Sequence, residues 1–184
     1  MRSKLGSAVL VSATFLSVTA PAGTAVATAQ MASAPIVHAT HGKGLIATSE
    51  LEKLLPATVY FSGQSAPLQI RNSAAYSNTA GRITWAGLVD TSGYSTGVRE
   101  KYQFYFVTEV PLNAGTLRIA PGIYGGGFLA DNTFVLLDVS GTEIGRTAVE
   151  VDTALRRPRP LQMVEGTGML RLYLGRQYVA LSSR

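Results

Sequence analysis

The chain has no cysteine and only two histidines in 184 residues. Without cysteine there are no disulfides, no thiolate metal site and no thiol nucleophile, so stability has to come from packing even in an oxidising compartment. Both histidines, His38 and His41, fall in a stretch rich in Ala, Ser, Thr and Gly. Ser-His-Asp chemistry therefore lacks its base in the folded part of the chain. Their spacing of three would suit two ligands on one helical face, but Gly42 and Gly44 disfavour a helix and a specific metal site needs further ligands and a second shell; no metal is expected. Long basic runs are missing too. The formal net charge is +5, two of those charges belonging to Arg2 and Lys4, and nucleic acid is not an expected partner. Neither G-x-x-x-x-G-K-[ST] nor G-x-G-x-x-G opening a helix occurs, so no phosphate-cradling loop or cofactor is expected.

What is present begins with the three parts of a secretory signal: Arg2 and Lys4, the apolar run Ala8 to Ala20, and a small-residue region with A-x-A patterns ending at Ala22, Ala27 or Ala29. The apolar run is shorter than the ~20 residues a helix needs to cross a bilayer. The expected organisation is a signal over residues 1–29, a flexible linker over 30–47 and a single domain over 48–184, exported to the periplasm or secreted. About 150 residues then remain, enough for one substantial core.

Ser49 with Glu52 forms a capping box, and Leu51, Leu54 and Leu55 supply an apolar side before Pro56, which predicts a short helix from about Glu50 to Leu55. Strands are expected at Thr58 to Ser62, Pro67 to Asn72 after a turn at Gly63 to Ala66, and Arg82 to Asp90, where Trp85 reads as a core anchor. The densest stretch follows. From Val98 to Val110, Tyr102, Phe104, Phe106 and Thr108 alternate with Gln103, Tyr105 and Val107, and the apolar members of both sets point to a strand covered on both faces. Pro111 ends that ladder, Asn113 to Gly115 turns the chain into Leu117 to Ile119, and Pro121-Gly122 is a type II turn signal. Gly125, Gly126 and Gly127 then fall within a strand, which marks a bend or close packing beneath an aromatic ring. Asp131-Asn132 and Ser140-Gly141 are hairpin turns leading to strands at Phe134 to Val139 and Thr142 to Val151. Leu170, Leu172 and Leu174 alternate with Met169, Arg171 and Tyr173, and Gly175-Arg176 turns this strand into Gln177 to Leu181. Roughly nine short strands and one N-terminal helix predict an all-β antiparallel sandwich. A small closed β-barrel is the alternative, and a membrane-inserted barrel is disfavoured because the strands fall short of the ~9–11 residues needed to cross hydrocarbon.

Several local patterns have a familiar look: Thr58-Val59-Tyr60-Phe61 with Gly63-Gln64, Glu100 through Tyr105, Pro121-Gly122 with Tyr124 and Gly125, and Arg156-Arg157-Pro158-Arg159-Pro160-Leu161. Together they resemble a family of exported bacterial proteins, over about Leu51 to Leu181. The resemblance implies an exported all-β protein and brings no activity, cofactor or site.

Paired carboxylates are the remaining general route to catalysis. The candidates Asp90, Glu100, Glu109, Asp138, Asp152 and Glu165 show no diagnostic spacing, so no catalytic residue is assigned. Two features are left as candidate ligand-binding sites. Tyr94 sits in the glycine-punctuated loop Thr91 to Gly97 and is expected to expose its ring at the tip. Arg156, Arg157 and Arg159 share a segment that Pro158 and Pro160 keep out of any ladder. They either pair with carboxylates such as Asp152 or Glu165, or form an anion site. The functional expectation is a non-enzymatic binding module of the envelope or extracellular space, its partner an anionic envelope component or a protein. A carboxylate-dependent hydrolase is the alternative, and a membrane-inserted barrel the second alternative.

Overall fold

The computed structural model describes residues 41–183. The expected signal, His38 and most of the expected linker lie outside these residues. Two open antiparallel sheets make up the fold. The first contains β1 (Gly44–Leu45), β3 (Gln64–Ser77), β4 (Ile83–Val89), β5 (Phe104–Thr108), β8 (Gly122–Phe128), β9 (Thr133–Leu137) and β10 (Glu143–Ala148) in that order, with β2 (Thr58–Phe61) pairing only with β3. The second runs β12 (Leu161–Gly166), β13 (Met169–Leu174), β14 (Gln177–Ser183), β6 (Leu112–Ala114), β7 (Leu117–Ile119), with β11 (Glu150–Val151) pairing with β14. The all-β sandwich is thus the architecture, and closure into a barrel is not. Pro111 and Pro121 mark two of the corners where the chain changes sheet: β5 to β6 and β7 to β8. Gly122 has no positive φ, so Pro121-Gly122 forms a corner rather than the type II turn expected.

Two clusters make up the core. One lies between the sheets, where Phe104, Phe106, Phe134 and Leu136 of the first meet Leu112, Leu172, Val179 and Leu181 of the second. The other covers the opposite face of the first sheet with Leu51 and Leu55 from helix α1 (Thr48–Leu54) and its C-terminal boundary, Val59 and Phe61 from β2, and Tyr94 from a loop. That second cover explains β5. Phe104 and Phe106 face the inter-sheet cluster while Tyr105 and Val107 face the other. Apolar residues on both faces came from a third layer, not from barrel closure. Trp85 is half-buried against the second cluster, with its ring centroid 5.7 Å from that of Tyr105.

Several local expectations need correction. The capping box does not form: α1 starts at Thr48 with Ala47 at the N-cap and no side-chain cap bond, which leaves Ser49 inside the first turn. The turn before β3 is Ser62-Gly63 alone, at φ of 46° and 81°, so Gln64 to Ala66 is already strand. Residues 41–47 are docked rather than free. Gly44 and Leu45 pair with Ser77 and Tyr76, and Ile46 donates its N–H to the Ala75 carbonyl at 2.9 Å. Val98 to Lys101, expected to begin the central strand, falls instead in helix α2 (Thr96–Lys101); apart from Val98 the helix residues are polar or glycine, so no alternation holds them to a sheet. Asn113 is in strand β6 and not in a turn, and β12 was not anticipated.

The glycine run behaves as expected. A Cβ on Gly125 would strike the Phe61 ring and lie 2.8 Å from Tyr102, one on Gly126 would lie 2.9 Å from the Phe104 ring, and one on Gly127 would lie 2.5 Å from the Lys101 carbonyl oxygen. Bare backbone on one face lets the Phe61 and Tyr102 rings, stacked at 3.8 Å and 14°, lie against the sheet. Tyr102 is fully buried, yet its hydroxyl has no hydrogen-bond partner among the described residues. An unsatisfied buried hydroxyl costs about 1–3 kcal/mol. Tyr102→Phe is therefore expected to raise the melting temperature, read by calorimetry; a drop would show that the hydroxyl has a partner.

Candidate functional site

Gly175, at φ 62°, makes the tight turn between β13 and β14 and leaves Arg176 at the tip of that hairpin. Residues 152–160 wrap around it. The Arg176 guanidinium donates from Nη1 to the carbonyls of Leu155 at 2.6 Å and Thr153 at 3.1 Å. On the backbone, Asp152 donates to the Arg176 carbonyl at 2.9 Å and Gly175 to the Arg159 carbonyl at 3.1 Å. Two tyrosines hold the near end. Tyr173 and Tyr178, paired across β13 and β14, lie on the face of the second sheet turned away from the inter-sheet core. Tyr173 donates to Asp152 Oδ2 at 3.1 Å, Tyr178 donates to Glu150 Oε2, and the Arg171 guanidinium lies 5.0 Å over the Tyr178 ring.

On this clamped loop Arg156, Arg157 and Arg159 are all exposed. None forms an ion pair among the described residues. The carboxylates expected to neutralise them are engaged elsewhere: Asp152 with Tyr173 and the Ala154 N–H, and Glu165 with Tyr76 at 3.1 Å and Lys43 at 3.7 Å, at the other end of β12. The three arginines thus stand on an exposed loop, and their pairing with Asp152 or Glu165 is absent among the described residues. Arg171 and Arg176, which support them, were missed; the alternation that put Arg171 beside Tyr173 on one face of β13 was the only hint.

Tyr94 is not an exposed tip. It is 6% exposed, its hydroxyl donates to the carbonyls of Phe61 at 3.0 Å and Gln64 at 3.1 Å, and its ring meets Tyr102 edge-on at 5.4 Å and 77°. The loop folds back because the β2–β3 hairpin offers two carbonyls to the phenol and Tyr102, just before β5, offers its ring as an aromatic wall. Tyr94 thus belongs to the cluster on the outer face of the first sheet.

Three of the remaining acidic candidates shape the backbone. Glu109 accepts the Ile83 N–H at 2.7 Å, Asp90 accepts the Ser92 N–H at 3.0 Å, and Asp138 accepts the N–H groups of Ser140 and Thr142, each at 2.9 Å. The Ser140 hydroxyl bond to Asp138 and the backbone donors hold its carboxyl below the usual range. Among the described residues no three His, Asp or Glu side chains gather as a metal site would require.

The tyrosines carry a pH consequence. Burial is the main cause that raises the phenol pKa of Tyr76, Tyr94, Tyr102, Tyr105, Tyr124 and Tyr173, and the bond to Glu150 is the main cause for Tyr178. The folded state thus favours the protonated phenols. Their contribution is complete below the ordinary tyrosine value of about 10 and is lost as pH rises through the folded values. In a spectrophotometric titration most tyrosinate absorbance should appear in one steep step, together with loss of the near-ultraviolet dichroism. Gradual ionisation with the dichroism intact would contradict this.

Comparison with protein-family models, curated proteins and solved structures finds no match. The local resemblance carried by Thr58 to Gln64 and Arg156 to Leu161 thus brings no family with it, and the functional reading rests on the loop geometry.

Proposed function

We propose that the chain is a non-enzymatic, exported binding module whose clamped arginine loop holds a polyanionic component of the cell envelope. One observation carries this reading: three guanidinium groups stand exposed without carboxylate partners among the described residues, on a backbone already fixed by Arg176, Gly175 and Tyr173. A fixed loop has little conformational entropy left to lose on binding. Guanidinium forks suit phosphate and carboxylate oxygens in bidentate geometry, so a polymer that repeats phosphate or carboxylate groups is the partner that would use all three. Export is supported by the signal pattern of Arg2, Lys4 and the run Ala8 to Ala20. Catalysis has no support from the six acidic candidates. Glu109, Asp90 and Asp138 hold the backbone, Asp152 clamps the loop, Glu165 sits in a local ion pair, and Glu100 lies in α2.

The reading is tested by passing the protein over immobilised inorganic polyphosphate at low ionic strength. Retention is expected, with elution as salt rises, because exposed charges are screened within ~8–10 Å at physiological ionic strength. Passage through the column without delay at low salt would overturn the proposal.

A further inference from the structure

At the end of β13 away from the arginine loop a cleft of about 410 Å³ opens between the two sheets. Such a volume lies in the lower part of the range of about 300–1,000 Å³ typical of small-molecule pockets. Leu112, Leu170 and Leu181 line it from the inter-sheet cluster but are themselves buried, so its accessible apolar surface comes from the half-buried Tyr76 and Val110. Met169, 40% exposed, stands at its edge.

The rim is charged and unevenly so. Lys43, Arg82 and Glu165 all line the cleft. Glu165 is already occupied, accepting the Tyr76 hydroxyl at 3.1 Å and lying 3.7 Å from Lys43 Nζ. Arg82 has no ion-pair partner among the described residues. It projects from a lip that cannot easily fold away, because Asn78 Oδ1 accepts the N–H groups of Ala80 and Arg82, each at 2.9 Å, and the Asn78 N–H donates to the Arg82 carbonyl at 2.9 Å. The second lip is the β12–β13 turn, where Gly168 takes φ 72°. Two cations face one carboxylate that is already shared, beside the apolar surface of Tyr76, Val110 and Met169.

We propose that this cleft binds a small anionic amphiphile, its chain laid against Tyr76, Val110 and Met169 and its head group held by Arg82 and Lys43. A cationic head would meet the unpaired Arg82 and find Glu165 already bonded. A neutral head would leave the Arg82 charge unanswered. The site is distinct from the arginine loop: the six residues of β13 separate them.

The test uses the full secreted chain and sodium dodecanoate below its critical micelle concentration, with dodecyltrimethylammonium and dodecyl maltoside as probes of matching chain length. Calorimetric titration and native mass spectrometry should show one dodecanoate per protein. Lys43→Gln with Arg82→Gln, both at exposed rim positions, should weaken dodecanoate binding about tenfold or more, since each charge-assisted contact is worth about one factor of ten. Replacing Arg156, Arg157 and Arg159 by Gln should leave it unchanged. The proposal is overturned if the wild type binds no dodecanoate, if the cationic or neutral probe binds as tightly, if the rim variant keeps full affinity, or if the loop variant loses it.

Discussion

Gly126→Val is expected to destabilise the fold severely. The residue sits in β8 between β5 and β9, opposite Phe104 and Leu136, and even a single Cβ there would lie 2.9 Å from two atoms of the Phe104 ring and 3.1 Å from the Val135 carbonyl oxygen. The ring cannot retreat, because Phe104 is fully buried among Phe128 and Phe134. The carbonyl cannot retreat without breaking the ladder. Overpacking a core usually costs about 1–3 kcal/mol, and valine adds two more carbons beyond a Cβ that already has no room. Against a typical margin of about 5–15 kcal/mol such a change in the centre of the first sheet should remove a large part of the stability. Circular dichroism and yield of soluble monomer decide it. A variant that melts within a few degrees of the wild type would mean that β8 is not packed as described.

Phe104→Ala should be at least as damaging for the opposite reason. Its ring is 0% exposed and lies between the sheets, so truncation opens a cavity bounded by two other aromatic rings that are themselves held in strands. Large-to-small changes of this kind cost about 3–5 kcal/mol. For a domain of this size each kcal/mol lowers the melting temperature by roughly 4 °C, so a fall of about 12–20 °C is expected. A loss below about 1 kcal/mol would place Phe104 at a site that collapses freely, which the neighbouring strands do not permit.

The features legible in the sequence are those set by neighbours along the chain. The alternation of Leu170, Leu172 and Leu174 gave β13 and its buried face, the glycine run predicted close packing under an aromatic ring, and Pro158 with Pro160 predicted an exposed arginine segment outside the ladders. What was not legible depends on contacts between distant residues. Tyr94 is buried because Phe61 and Gln64, some thirty residues earlier, present carbonyls to it. Gly44 and Leu45 are a strand only because β3 extends to Ser77 and offers an edge. The clamp on the arginine loop follows the same rule. Tyr173 and Arg176 reach back more than twenty residues to Asp152 and Leu155, and nothing in the local pattern announces that reach. The pairing between the arginines and Asp152 or Glu165, plausible from proximity in sequence, gives way because Tyr173, Tyr76 and Lys43 occupy those carboxylates first.

The claim that this loop is a pre-organised anion site is tested most directly by comparing two charge-matched triple variants for polyphosphate affinity and melting temperature. One replaces Arg156, Arg157 and Arg159 by Gln; the other replaces Lys53, Arg99 and Arg118, three exposed cations without ion pairs among the described residues. Both lose the same formal charge, so a general attraction between a basic protein and a polyanion weakens equally in both. The account predicts that the loop variant loses affinity by at least about tenfold relative to the matched control, while its melting temperature stays within about 2 °C of the wild type, as expected for surface changes. Equal affinity in the two variants, or a large loss of stability in the loop variant with its affinity unaltered, would contradict it.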